Sequence, residues 1–299
     1  MAFASRVKNL KNSKILFLSL FVGVLSGCLA PQPVKDMTRL AQDLDRKGLV
    51  TKSSISIGTE SLHYVERGLR DDVVLLLLHG TPGRWTIFSS QLSDSLLYEN
   101  VRLVAIDRPT WGESTVGTLQ LEQENKEILT LEEQLDYLEP LLLKLKEKSK
   151  KIIVAGHSLG ASMAPMLALR YPDLVNGVIT LAGDLSSELL KPEWYNRIAD
   201  TWLLTSILPN ELTIANKEVL ALPKSLELLN TQFTELAVPL LVVHGVEDGL
   251  VHIGNVDYAK KLKTQSYVNV KTIPGKGHLF HVDVPAEVNK LIYEFIQKL

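Results

Sequence analysis

The sequence predicts an α/β fold built on a mostly parallel, doubly wound, eight-stranded sheet. Three observations carry that expectation. First, runs at 73–78, 101–106, 151–156, 177–182 and 238–244 are apolar almost throughout. A strand with no polar face is expected where helices cover both sides of a parallel sheet. Second, helical patterns separate these runs, and the stretch Leu129 to Lys148 is long enough for a crossover helix. Third, the roughly 250 residues after position 50 are ample for one large core, so residues 51–299 read as one domain rather than two.

Taken in order, the chain opens with Arg6, Lys8, Lys11 and Lys14, then the apolar run Ile15 to Leu25, then Ser26, Gly27 and Cys28. A basic region, a short apolar region and small residues together read as a secretory signal. The run is 11 residues long, too short for a mature membrane-spanning helix. Leu25-Ser-Gly-Cys28 resembles the bacterial lipoprotein box. That resemblance implies cleavage after residue 27, a diacylglyceryl thioether on Cys28, and a lipid anchor in a bacterial cell envelope. Leu29 is not aspartate, which in a Gram-negative host implies the outer membrane, facing the periplasm or the surface. Cys28 is the one cysteine of the chain, so the domain is expected to be stable without disulfides.

Loss of residues 1–27 removes four of 32 basic residues and none of 34 acidic ones, leaving 28 against 34, formally −6. Such a surface offers no attraction to anionic lipid, and the lipid itself is expected to do the anchoring. The same balance, with no basic block, excludes nucleic acid as a natural partner. Residues 28–50 read as a tether. Pro31 and Pro33 keep its start extended; Met37, Leu40, Ala41 and Leu44 then fall at helical spacing, and Gly48 ends the helix.

The body begins with a hairpin, Ser54–Ile57 and Leu62–Glu66, and continues with the buried strands. Between 177–182 and 238–244 lies an insert, about 185–237, that reads as helices around 192–207, 210–221 and 223–235. A final strand, Tyr267 to Ile273, precedes a helix from about Pro285 to Leu299.

The chemistry centres on Gly156-His-Ser-Leu-Gly160. It follows a β-branched apolar run and precedes a helix-forming stretch, so Ser158 sits on a strand-to-helix turn. A serine hydroxyl is a poor nucleophile unless held clear of the backbone and beside a base. Flanking glycines allow the close approach such a turn requires. The competing expectation is an ordinary helix N-cap. An acyl-transfer serine also needs a histidine, an orienting carboxylate and oxyanion donors. On a doubly wound sheet these lie past the carboxyl ends of strands. Asp248 follows the buried strand Pro239 to His244, and His278 follows the Pro274-Gly-Lys-Gly277 turn.

With His79-Gly-Thr-Pro-Gly83, Asp107-Arg-Pro-Thr-Trp-Gly-Glu-Ser114, the Ser158 motif, His244-Gly-Val-Glu-Asp248 and Gly277-His-Leu-Phe-His281 in this order, the chain from about Ser53 to Leu299 resembles the α/β-hydrolase family. The resemblance implies Ser158 as nucleophile, Asp248 as acid and His278 as base. It implies an oxyanion hole from the backbone N–H groups of Thr81 and Leu159; Pro82 has none to offer. It makes the insert at 185–237 a helical cap over the site. Thr110 stands where the family often has glycine, Ala161 where it often has a further glycine, and Pro165 lies inside the helix after the elbow.

Rivals remain on the sequence. Asp184 follows the next strand, where some family members carry their acid, and Glu247 adjoins Asp248. His281 is close to His278. His79 and His244 end buried strands and are expected to shape loops by hydrogen bonding; His157 points away from the nucleophile; His63 and His252 read as surface residues. Trp85, Trp111, Trp194 and Trp202 either line a pocket for an apolar group or fix the insert to the body. No metal-ligand spacing, Walker pattern or dinucleotide fingerprint is present, so neither a metal nor a cofactor is expected. The expected activity is hydrolysis of a carboxylic ester or related acyl bond in a small-molecule substrate. Aminopeptidase, lactonase, thioesterase or C–C hydrolase chemistry on the same site is the alternative, with Glu188, Glu193, Asp200 and Glu211 available to grip an amine. Epoxide-hydrolase and dehalogenase relatives place aspartate where Ser158 stands. A non-catalytic surface lipoprotein is the reading from outside the enzymes. The sequence leaves the oligomeric state open.

Overall fold

The computed structural model describes residues 32–118, 122, 129–190, 196, 199–201 and 208–299. The signal segment, Cys28, Trp194, Trp202, and most of the helix expected over 192–207 lie outside the described residues.

Eight strands form one sheet: β1 (Thr51–Ile57), β2 (Glu60–Arg67), β3 (Val73–Leu78), β4 (Arg102–Ile106), β5 (Lys151–His157), β6 (Gly177–Leu181), β7 (Leu240–Gly245) and β8 (Val268–Ile273). Their order is β1-β2-β4-β3-β5-β6-β7-β8. Strand β2 runs antiparallel to both neighbours; all other pairings are parallel. Strand β5 therefore lies inside the sheet, and β3 to β8 end at one common edge.

The apolar runs are double-faced because both faces are covered. Val74, Leu76 and Leu78 of β3 join one core cluster, with Val154 of β5 and Val242 of β7. Leu75 and Leu77 join the other, with Ile153, Ala155 and Val243. Helices α4 (Leu131–Asp136), α5 (Glu139–Lys146), α6 (Leu159–Arg170) and α7 (Asn210–Gln232) line the first face. Helices α1 (Gln32–Arg46), α2 (Ser89–Ser93), α3 (Ser95–Tyr98) and α10 (Pro285–Ile296) line the second. Two short helices, α8 (Gly254–Ala259) and α9 (Phe280–Asp283), follow β7 and β8 respectively. No helix among the described residues is long and apolar enough to cross a membrane.

Three sequence expectations are corrected, the first being that Pro33 keeps the chain extended: it lies in the first turn of α1, where its missing N–H costs no helical hydrogen bond. The stretch Leu129 to Lys148 is two helices, because Pro140 has no N–H for the carbonyl of Asp136; it sits instead in the first turn of α5. A capping box starts α4, with Thr130 Oγ1 accepting from Glu133 N and Glu133 Oε2 accepting from Thr130 N. The helices expected at 210–221 and 223–235 are instead one helix, α7, followed by a 3-10 turn at Phe233–Glu235. Pro223 removes one hydrogen bond, but buried Leu222, Leu226 and Leu229 pin the helix on both sides of it. Pro165 is accommodated in the same way inside α6, whose residues 159–168 are all buried.

The amphipathic helix α1 docks on the second face. Met37, Ala41 and Leu44 are buried, and Ser89 Oγ donates to Met37 O at 3.1 Å. Its neighbours are α2, the 3-10 turn Trp85–Phe88 and α9, segments that flank the loops after β3 and β8. Thr110 keeps the backbone its motif requires: its φ is 68°, the left-handed region that glycine would occupy without steric cost.

Candidate active site

Ser158 joins β5 to α6 with φ 56° and ψ −124°. This sparsely populated conformation costs on the order of 1–3 kcal/mol in a non-glycine residue and persists only where surrounding structure enforces it. The enforcement is visible: Ser158 N donates to Leu181 O of β6 at 2.9 Å, and Ser158 O accepts from Ala161 N. A Cβ on Gly160 would run into the carbonyl oxygens of Leu78 and His79, so only glycine lets α6 approach β3 this closely. The Ser158 side chain makes no capping hydrogen bond, which removes the N-cap expectation. The N–H groups of Leu159 and Gly160 open α6, where a helix leaves its first donors without an intrahelical acceptor.

Asp248 and His278 follow β7 and β8 at the same edge of the sheet. His278 Nδ1 donates to Asp248 Oδ2 at 2.8 Å; the Asp248 side chain is fully buried and that of His278 is 12% exposed. The other carboxylate oxygen accepts from the backbone N–H of Leu250 and Val251 at 2.8 and 3.0 Å. Burial pushes the Asp248 carboxyl up, but the His278 charge, its hydrogen bond and the two backbone donors outweigh it. The net result is a carboxyl held below its usual value. With its proton on Nδ1, the neutral His278 ring presents Nε2 as an acceptor.

Asp184 ends the β6 loop on the same rim but is bonded elsewhere. Its Oδ1 accepts from Asn255 Nδ2 at 3.2 Å, and its backbone carbonyl from Ser162 Oγ at 2.7 Å. Asn255 Oδ1 in turn accepts from Leu185 N and Ser186 N. Burial pushes Asp184 up to about 6, the Asn255 bond and the His278 charge pulling the other way. Glu247 is exposed.

The loop after β3 lies against the serine: a Cβ on Gly80 would stand 2.8 Å from Ser158 Cβ and 3.3 Å from its Oγ. His79 fixes this loop. Burial and the neighbouring Arg108 charge push its ring down to about 3, so it is neutral. Its Nε2 accepts from Arg108 N at 2.9 Å, which leaves Nδ1 as the donor to Gly80 O at 2.7 Å. Because a peptide unit is planar and trans, holding the Gly80 carbonyl also sets the direction of the Thr81 N–H, opposite to it.

Three imidazoles cluster at this edge of the sheet. The ring of His157 lies 4.7 Å from that of His278 and 4.1 Å from that of His281, centroid to centroid. His157 Nε2 donates to His278 O at 3.0 Å, tying the residue beside Ser158 to the backbone of the loop after β8. Burial holds His157 well below its ordinary value and brings His281 to about 3. Among the described residues no group of His, Cys, Asp or Glu is placed to hold a metal ion.

Other expectations resolve differently. His63, expected at the surface, is buried, and its Nδ1 bonds Asp107 Oδ2 at 2.9 Å. The strand β2 is internal, flanked by β1 and β4, and Asp107 offers a buried partner. Asp107 also accepts from Trp85 N and Glu113 N, knitting three loops together. His252 is exposed. Trp85 packs into the second core cluster, and buried Trp111 donates through Nε1 to Glu218 Oε1 at 3.2 Å.

The sequence assigned no role to Arg108, Gln134 or Glu218, yet all three are buried, bonded to one another and, through Arg108, to the loop after β3. One signal existed: Glu218 interrupts the stripe Ala215, Leu222, Leu226, Leu229 at helical spacing, a charge on a face that is otherwise apolar.

The model of the Alpha/beta hydrolase family matches residues 75–291. Among curated relatives, Protein ABHD8 of Bos taurus is 25% identical over 279 residues, covering 84% of this chain and 62% of that protein. The chain thus spans about three fifths of the ABHD8 proteins it matches. Pimeloyl-[acyl-carrier protein] methyl ester esterase of Yersinia enterocolitica is 25% identical, covering 76% of this chain and 94% of the esterase. Among solved structures, a bacterial membrane phospholipase A superposes with a TM-score of 0.65 at 17% identity, covering 95% of this chain and 97% of that one. A putative lipase of Acinetobacter baumannii gives 0.66 at 19%, covering 87% and 95%. At these identities the two structures establish likeness of fold.

Proposed function

The chain belongs to the alpha/beta hydrolase family, and from that premise we propose that it is a serine hydrolase of carboxylic esters or related acyl bonds, held at a membrane by a lipid on Cys28. The observation that carries the reading is the hydrogen bond from His278 Nδ1 to buried Asp248, on the rim where Ser158 is held in a left-handed turn. A named relative that is an esterase, aligned over most of its length, supports the same class.

The chemistry follows from these groups. Asp248 fixes the tautomer in which His278 Nε2 is free to take a proton. Ser158 Oγ attacks the acyl carbon as His278 accepts its proton, and the developing oxyanion lies between the N–H groups of Thr81 and Leu159. One such donor is typically worth ~3 kcal/mol in the transition state. The imidazolium, stabilised by Asp248, protonates the leaving alcohol. Water, activated by the same imidazole, then hydrolyses the acyl-serine and restores the enzyme. A hydroxyl nucleophile suits acyl carbon; epoxide opening through an ester intermediate calls for a carboxylate at this position.

Turnover of p-nitrophenyl esters of increasing chain length, set against aminoacyl-arylamides, tests the reaction class. Ester hydrolysis with negligible arylamide cleavage is expected. Preferential arylamide cleavage would make the protein an aminopeptidase, and no turnover of either set, with purified folded protein, would favour a binding role.

The anchor reading rests on the basic and apolar leader that ends in Leu25-Ser-Gly-Cys28. Only three residues separate Cys28 from the start of the docked helix α1, a reach of roughly 14 Å at full extension. Cys28→Ser is expected to release the protein from the membrane fraction and abolish metabolic labelling with palmitate. Unchanged membrane retention with no label on Cys28 would contradict the anchor.

A further inference from the structure

We propose that the buried Arg108–Glu218 ion pair couples helix α7 of the insert to the oxyanion loop, making Arg108 a positioning residue for the hole and Glu218 its cap-borne counter-charge. The inference rests on the hydrolase reading for its consequence in turnover, but the coupling itself is structural.

Arg108 is fully buried and Glu218 nearly so. The two meet as a fork: Nη1 donates to Oε1 and Nη2 to Oε2, each at 2.9 Å. Two further donors of the guanidinium face the loop. Nε donates to His79 O at 3.0 Å and Nη2 to Gly80 O at 3.1 Å, while Nη1 also reaches Gln134 Oε1 at 2.7 Å. Gln134 Nε2 and Trp111 Nε1 both donate to Glu218 Oε1. One planar cation therefore holds two successive carbonyls of the oxyanion loop with one edge and the insert's carboxylate with the other.

The geometry has a directional consequence. The Gly80 carbonyl is clamped by Arg108 and His79, so the Thr81 N–H in the same peptide unit is aimed away from them. Neither partner can be withdrawn quietly. A buried guanidinium without its carboxylate is an uncompensated charge, and it must move toward water or recruit a new acceptor. The carbonyls it holds are then freed to rotate. Docking of α7 and alignment of the hole are thus one event, with the arginine as the shared part. The family resemblance drew attention to the Asp107 to Ser114 motif as a sequence marker; the structure gives its second residue this task.

Two variants test the coupling. In Glu218→Gln the amide N–H faces the guanidinium N–H, which breaks the fork at constant shape. In the triple variant Arg108→Met, Gln134→Leu, Glu218→Leu, the charges and their amide partner are replaced together by apolar side chains of similar volume, a change buried ion networks often tolerate. Amide hydrogen exchange over residues 79–83 is the readout independent of activity. Both variants, folded by circular dichroism, are expected to exchange Thr81 at least tenfold faster than wild type. On a turned-over ester, kcat is expected to fall at least tenfold with KM within twofold. Affinity for an aryl boronic acid, which mimics the tetrahedral state, is expected to fall in step with kcat. Wild-type exchange at residues 79–83 in either folded variant would overturn the inference whatever the activity. Faster exchange with unchanged kcat and boronate affinity would overturn the catalytic consequence. Faster exchange in a protein whose wild type turns over no ester would retain the coupling and sink the hydrolase reading instead.

Discussion

Ser158→Ala is expected to lower kcat/KM for any ester the protein hydrolyses by about 10⁶-fold, the loss seen when a triad nucleophile is removed from a comparable site. The fold should survive, because Ser158 Oγ makes no capping bond and the backbone contacts of residue 158 do not involve its hydroxyl. The residual rate measures what binding and the oxyanion donors supply alone. A further control follows from the φ of 56° at this position. Ser158→Gly removes the same hydroxyl and also the steric cost of the left-handed backbone, so it should melt above Ser158→Ala while being equally inactive. Equal melting temperatures would mean the turn is not strained; a fall of less than tenfold in Ser158→Ala would remove the serine from the chemistry.

Asp248→Asn is expected to cost about 10⁴-fold in kcat, because an amide in this place favours the wrong tautomer of the histidine. Asp248 Oδ2 now accepts the Nδ1–H of His278. An amide N–H rotated into that position would force the proton to Nε2, the atom that receives the serine proton in the proposed mechanism. Asp184→Asn is the matched comparison. Asp184 bonds Asn255 rather than His278, so turnover at neutral pH should stay within severalfold of wild type. Its stability should change with pH in a definite direction. The folded chain retains a proton on Asp184 up to about pH 6, whereas an ordinary aspartate loses it near 3.8. Folding therefore takes up a proton between these values, and the wild type loses stability as pH rises through that window, on the order of 3 kcal/mol when complete. Asparagine has no proton to lose. The melting advantage of Asp184→Asn over wild type should thus be larger at pH 8 than at pH 4. Equal losses of activity in the Asp248 and Asp184 variants would move the orienting acid to Asp184 or divide the role between them.

The sheet was legible because its strands are buried on both faces: Val73 to Leu78 and Lys151 to Ala155 show no polar alternation, and only a covered parallel sheet asks for that. The edge on which Ser158, Asp248 and His278 fall was legible for the same reason, since each follows such a run. Helix boundaries were less so. Pro140 divides one expected helix, while Pro223 fails to divide another, because the outcome depends on what Leu222, Leu226 and Leu229 bury rather than on proline itself. His63 looked like a surface residue because its partner Asp107 lies 44 positions away. Arg108 and Glu218 are separated by 110 positions, and nothing local to either announces the other. The choice between Asp248 and Asp184 stayed open for the same reason: both end strands on one rim, and only the hydrogen bond of His278 separates them.

The most direct test is the site of covalent capture. Purified protein treated with a fluorophosphonate and digested should carry one phosphonyl adduct, on the peptide containing Ser158, with ester turnover lost in proportion to labelling and no adduct in Ser158→Ala. Full ester hydrolysis by protein whose Ser158 stays unmodified, or stoichiometric labelling at another residue, would contradict the account.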